Sequence, residues 1–292
     1  MKTIPAKTIL SGYSDGWFGT NYNMNIYKGC CHGCIYCDSR SSCYRITDFD
    51  TVRAKAGALD ILEDELRTKR QKGVIGSGAM SDFYNPFEKD CRLTRGTLQL
   101  IARYGYGVVI DTKSDLVLRD IDILQSIQRN APAYINFTIT TADDVLCSKI
   151  ERNVCPSSRR FRAMKILSEA GIEGGILIMP ILPFINDTAE NILAIIEQAH
   201  EAHAKYIYPA FGVTLRQNQR EYFFDRLDDQ FPGMKQQYLQ YFGDSYSCGS
   251  PRDKELRRLL KTECEKRGIL WRMKDISRYI RRNYDREQIS LF

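Results

Sequence analysis

The residues best suited to do chemistry sit in one short run, Tyr27-Lys28-Gly29-Cys30-Cys31-His32-Gly33-Cys34-Ile35-Tyr36-Cys37. Within it Cys30, Cys34 and Cys37 are spaced C-x3-C-x2-C. Three thiolates this close can converge on one inorganic cluster from a single loop. A [4Fe–4S] cubane closed by protein takes four cysteines. Three leave one iron open, either for a small exogenous ligand or for a cysteine from elsewhere in the chain. The plainer alternatives are a structural zinc site or buried free thiols. Zinc sites usually pair two C-x2-C units, and no matching second half is present.

The elements that must hold this loop follow from the apolar pattern. Asn23-Met24-Asn25-Ile26-Tyr27 alternates and predicts a first strand running straight into the cysteines. Residues 52–72 place Val52, Ala56, Leu59, Leu62 and Leu66 three and four apart, an amphipathic helix ended by Gly73. The alternation then repeats. Strands are expected at 74–79, 107–111, 134–140, 172–179 and 206–208, with the fifth halted by Pro180 and Pro183. Helices are expected at 94–104, 116–128, 157–170 and 188–203. Strands alternating with helices imply a parallel sheet. About six such units predict an α/β fold, an open, partial (β/α)6 TIM-like barrel. Residues 1–21 read as an irregular brace. After Phe211 the pattern turns helical, at 219–229, 234–242, 252–267 and 273–282. The expected division is a core of residues 1–212 and a helical, basic extension of residues 213–292.

The cysteine spacing, the glycines that let the loop curl and the aromatic Tyr36 before the last cysteine resemble the radical S-adenosylmethionine (radical SAM) superfamily. That resemblance implies that SAM chelates the open iron. Parallel β/α barrels gather their sites at the C-terminal strand ends, so those ends become candidate SAM contacts. Gly76, Ser77 and Gly78 end the second strand and could let a SAM amino group reach the backbone, or simply make a tight turn. Lys113 and Ser114 end the third, suited to a carboxylate; a capped helix start with a surface lysine is the alternative. Thr138 near the end of the fourth offers a hydroxyl, and Met179 on the fifth an apolar cover for adenine; ordinary strand packing explains both as well. Tyr36 would meet the adenine edge.

The likeness narrows further. Asn25 to Cys30, Met80-Ser81-Asp82-Phe83-Tyr84-Asn85-Pro86-Phe87-Glu88, Thr112-Lys113-Ser114-Asp115 with Arg119-Asp120, residues 174–183 and Tyr246-Ser247-Cys248-Gly249-Ser250-Pro251 resemble spore photoproduct lyase-like radical SAM proteins. This implies a [4Fe–4S] cluster on Cys30, Cys34 and Cys37, SAM cleavage to a 5′-deoxyadenosyl radical, and hydrogen abstraction from a substrate. A damaged DNA base is the leading substrate class. The alternatives are RNA, a peptide or a small molecule, or a nucleic-acid or clamp-binding protein with a structural or redox-sensing cluster. One departure counts against the lyase reaction itself. Where those lyases carry a hydrogen-returning cysteine shortly before the Ser-Asp pair, this chain reads Gly78-Ala79-Met80-Ser81-Asp82. Asp38 also stands where relatives often have an aromatic. Cys43 and Cys248 are the candidate catalytic thiols among the remaining cysteines; free buried cysteine is the commoner fate.

Composition sets the outer bounds. A chain of 292 residues, 43% hydrophobic and 27% charged, can bury a large core. Ten cysteines without a secretory signal suit a reducing cytoplasm rather than a disulfide scaffold. No run approaches the ~20 apolar residues of a membrane helix. Net charge is +6, and residues 252–286 hold thirteen Lys/Arg against six Asp/Glu, a local balance of +7. That segment fits a polyanion such as DNA, or a solvated helix face. The last five residues, Gln288-Ile289-Ser290-Leu291-Phe292, resemble the pentapeptide that docks on bacterial sliding clamps, with Gln288, Leu291 and Phe292 as anchors. The cluster chemistry also implies an electron donor of flavodoxin or ferredoxin type.

Overall fold

Eleven strands form among the residues that the computed structural model describes, 1–12, 17–282 and 284. They are β1 (Lys2–Ile4), β2 (Leu10–Gly12), β3 (Tyr22–Met24), β4 (Tyr27–Lys28), β5 (Arg53–Lys55), β6 (Val74–Ser77), β7 (Gly107–Thr112), β8 (Ala133–Thr138), β9 (Gly174–Ile181), β10 (Tyr206–Thr214) and β11 (Ser247–Gly249). The main sheet runs β11-β10-β9-β8-β7-β6-β3-β2. Its six inner strands, β3 and β6 to β10, pair parallel, while β2 and β11 pair antiparallel at the two ends. The sheet therefore stays open, a six-unit partial barrel. A second sheet, β1-β5-β4, lies beside its first strand and carries the chain into the cysteine loop.

The inner strands form because apolar residues run nearly unbroken along them, as parallel strands covered on both faces require. All six residues of β8 are buried. Helix Ala58–Thr68 buries Ala58, Leu62 and Leu66 along one stripe. Each such buried leucine contributes about 1.5–3 kcal/mol before chain entropy is counted. Helices Asp253–Lys266 and Met273–Arg281 insert Leu256, Leu260, Ile276 and Ile280 into the same core. A second core joins Cys34, Ile35 and Tyr36 to Val213, Leu215, Phe223, Leu227, Tyr238 and Cys248. The cysteine loop and the helical extension thus share one apolar cluster.

Several boundaries differ from expectation. The strand predicted over Asn23–Tyr27 is split, because Asn25 turns out of the ladder and its Oδ1 accepts from Met80 N at 3.2 Å. β9 runs through Pro180 to Ile181. β10 continues to Thr214, with its register shifting between Pro209 and Phe211; proline has no N–H to donate there. Residues 1–21 supply short strands. A helix at Asp144–Ile150, capped by the Asp143 carboxylate accepting from Val145 N at 2.7 Å, occupies a stretch given no element in the sequence reading. No helix among the described residues is long and apolar enough to cross a membrane. The pentapeptide 288–292 lies outside the described residues.

Candidate active site

The cysteine loop is held from every side by backbone. Gly29 has φ +84°, and an added Cβ would stand 2.3 Å from the Thr51 carbonyl oxygen, so only glycine fits. Cys30 N donates to Phe49 O at 2.8 Å, and Ile35 N to Ile150 O at 2.9 Å. Asn153 donates through its backbone to His32 O and through Nδ2 to Cys31 O, both at 2.9 Å. Ser39 Oγ donates to Ala79 O at 2.5 Å, tying the loop to the turn after β6. The loop is therefore positioned before any ligand arrives.

Burial pushes all three candidate thiols up, Cys30 to about 12 with Cys37 adding to the effect. Lys113 works against this at Cys34 and Cys37. Thiols in such a setting deprotonate when metal takes the place of the proton. Among the described residues no three His, Cys, Asp or Glu side chains converge closely enough for a single metal ion. A cubane does not require that convergence, since each thiolate binds its own iron.

Asp82 organises the neighbouring strand ends. Its Oδ1 accepts from Thr112 Oγ1 and Tyr84 N, and its Oδ2 from Lys113 N, all at 2.8 Å. His32 Nδ1 lies 3.7 Å from the same carboxylate. Lys113 is thereby fixed at the end of β7, with Nζ 5.8 Å from the centre of the Tyr36 ring. Burial pushes its ammonium down, yet Cys34, Glu151 and Asp82 together hold it above its ordinary value. Among the described residues that ammonium has no hydrogen bond or ion pair. The hydroxyls of Ser81 and Thr140, a few residues past the ends of β6 and β8, are buried without a hydrogen-bond partner among the described residues. A buried cation beside three thiols is a donor set that suits an iron–sulfur cluster with a zwitterionic ligand.

The other expected contacts are distributed less simply. Gly76 and Gly78 do end β6, but protein fills the space their missing side chains leave. A Cβ at Gly78 would stand 2.0 Å from Asn25 Oδ1, and one at Gly76 3.2 Å from Thr20 Cγ2. Only their backbone remains for a ligand. Ser77 Oγ accepts from Asp111 N at 2.8 Å, and Ser114 caps the next turn by accepting from Leu116 N at 3.3 Å. Thr138 is buried, and its carbonyl accepts from Arg160 at 2.7 Å. Met179 is half-buried on β9. Tyr36 O accepts from Gln219 Nε2 of the helical extension at 3.0 Å. The two candidate thiols lie apart. Cys43 is exposed just beyond the loop, near Arg216, while Cys248 is buried on β11.

Two charged residues escaped the sequence reading. Glu151 and Arg160 are both buried and paired at 2.6 Å, directly behind the cysteine loop. Arg160 lies on the buried stripe of helix Ser157–Glu169, with Phe161, Met164 and Leu167. A charge on an apolar stripe was the available signal.

A family model described as the radical SAM superfamily matches residues 24–208. An uncharacterised protein of Mycobacterium tuberculosis is 26% identical over 228 residues, 76% of this chain and 67% of that protein. One of Methanocaldococcus jannaschii is 33% identical over 169 residues, 58% of this chain and 63% of that protein, so the match spans less than two thirds of its length. Among solved structures, a spore photoproduct lyase variant superimposes with TM-score 0.64 at 15% identity over 86% of this chain and 76% of that one. The lyase complexed with dinucleoside spore photoproduct gives 0.62 at 15% over the same shares. At such identity the likeness is one of fold.

Proposed function

Because the chain belongs to the radical SAM superfamily, whose members use a [4Fe–4S] cluster and SAM, we propose that Cys30, Cys34 and Cys37 hold the cluster and that the mouth around Lys113 receives SAM. When bound and reduced, the cluster would pass one electron to the SAM sulfonium, breaking its S–C5′ bond to give methionine and a 5′-deoxyadenosyl radical that takes a hydrogen atom from a substrate. The observation that carries the reading is the Lys113 ammonium, set beside the loop by Asp82 and left without a protein anion of its own. It pairs with the SAM carboxylate. The backbone of Gly76 to Gly78 meets the amino group, Ser114 and Thr138 add polar contacts, and Met179 with Tyr36 borders the adenine. An electron donor, of flavodoxin or ferredoxin type, reduces the cluster.

For the substrate we favour a damaged base in DNA, flipped from the duplex to reach the barrel mouth. The lyase-like fold supports this, since one such lyase was solved with dinucleoside spore photoproduct. The basic balance of residues 252–286 supports it too. Cys43, exposed at the edge of the loop, is better placed than buried Cys248 to return a hydrogen atom. A cytoplasmic setting suits the cluster. The test is an anaerobic reaction of reconstituted, reduced protein with SAM, with and without ultraviolet-damaged duplex DNA. The expected result is 5′-deoxyadenosine, more of it with damaged DNA, and none from Cys34→Ala. No product from the unaltered protein would overturn the enzymatic reading. Product indifferent to damaged DNA would move the substrate to RNA, a peptide or a small molecule.

A further inference from the structure

Residues 150–155, between helices Asp144–Ile150 and Ser157–Glu169, form a strap behind the cysteine loop. Cys34 and Glu151 make an antiparallel bridge, flanked by Ile35 N donating to Ile150 O. The Glu151 carboxylate is shared. Tyr36 Oη donates to Oε1, and Arg160 Nη1 stands 2.6 Å from Oε2. Arg160 is itself held by Thr138 O at 2.7 Å and Cys155 O at 2.8 Å, and its Nη2 reaches Cys147 Sγ at 3.4 Å. Both side chains are essentially sealed from solvent, 0% exposed for Arg160 and 1% for Glu151.

An isolated buried ion pair is rarely kept for stability, because desolvation offsets most of the attraction. This one touches the cysteine loop at backbone and side chain together. Paired with Arg160 Nη1 at 2.6 Å and accepting from Tyr36 Oη, Glu151 is the anionic half of a buried ion pair. The charges that bear on the three thiols are then Glu151 and Asp82 as anions and Lys113 and Arg40 as cations, with Arg160 paired to Glu151 behind the loop. Buried charges are screened less than charges in water. Cluster reduction potentials respond to net local charge, hydrogen bonding and exposure.

We propose that Glu151 and Arg160 are a positioning pair that anchors Tyr36 and the Cys34 segment and sets the local charge, and hence the reduction potential, at the cluster site. The inference rests on the cluster reading above. Neither residue touches the reacting atoms. Removing the anion alone leaves uncompensated positive charge and makes the added electron easier to accept. Removing the cation alone does the reverse.

The test is a spectroelectrochemical titration of anaerobically reconstituted full-length protein, comparing Glu151→Gln, Arg160→Gln and the double variant. The midpoint potential should rise in the first, fall in the second and stay at the wild-type value in the double variant. A merely structural role would move both single variants in the same direction or in neither, and either result overturns the proposal. If the single variants do not fold, the double variant decides, and a shifted potential there overturns the proposal. Unaltered protein that takes up no four-iron cluster defeats the cluster reading instead. Loaded wild type with indifferent variants defeats this inference alone.

Discussion

Lys113→Met separates a ligand contact from a structural one. Lys113 Nζ has no hydrogen bond or ion pair among the described residues, so its removal costs only its 5.8 Å contact with the Tyr36 ring and its attraction to Glu151 and Asp82, offset by the relief of its own burial. Methionine keeps the length and the apolar stem, and swaps of similar volume cost little. The cluster-free protein should therefore keep its unfolding free energy to within about 1 kcal/mol. SAM should lose a charge-assisted hydrogen bond, worth about 1.5–3 kcal/mol. That corresponds to a roughly 10- to 150-fold rise in Kd. Equilibrium dialysis of SAM against cluster-loaded, oxidised protein measures affinity without turnover, and urea unfolding of the cluster-free protein measures stability. An unchanged Kd would show that the ammonium does not meet SAM. A stability loss of about 3 kcal/mol, the cost of breaking a buried pair, would show that Lys113 belongs to the scaffold.

Gly78→Ala should destabilise the fold by about 1–3 kcal/mol, the usual cost of overpacking, because the new methyl collides with the Asn25 side chain. Adding Asn25→Ala should recover part of that loss in thermal denaturation, and a Gly78→Ala protein as stable as wild type would contradict the packing. Burial pushes the Asp111 carboxyl up to about 6, against the opposing pull of Asn136 and Lys113. Folding thus takes up a proton, and this group's contribution is greatest below pH 3.8 and lost as pH rises through about 6. Asp111→Asn should then gain up to about 3 kcal/mol at pH 7.5 and little at pH 4, from 1.36 kcal/mol per pKa unit; an equal change at both pH values in urea titrations would refute this.

The cysteine loop and the six parallel strands were legible because their signals are local: a fixed spacing, and apolar runs interrupted by glycine and helical periodicity. Helices Met234–Phe242 and Met273–Arg281 were legible for the same reason. β1, β2, β5 and β11 were not, since strands of three residues carry no period and exist only through partners far along the chain. The room at Gly76 and Gly78 read as space for a ligand, but Thr20 and Asn25 occupy it, at separations of more than fifty residues. Glu151 stands beside Arg152 in the sequence with no local signal of burial. Only folding brings it against Arg160 and Tyr36, behind the thiols.

The most direct test of the cluster assignment is electron paramagnetic resonance of anaerobically reconstituted, reduced protein, titrated with SAM. A reduced [4Fe–4S] signal that changes on SAM addition is predicted for the unaltered protein and for Cys31→Ala, since Cys31 lies in the same loop but is not a proposed ligand. Cys30→Ala, Cys34→Ala and Cys37→Ala should each lose that signal. Its absence from the unaltered protein, or its survival in Cys34→Ala, would contradict the assignment.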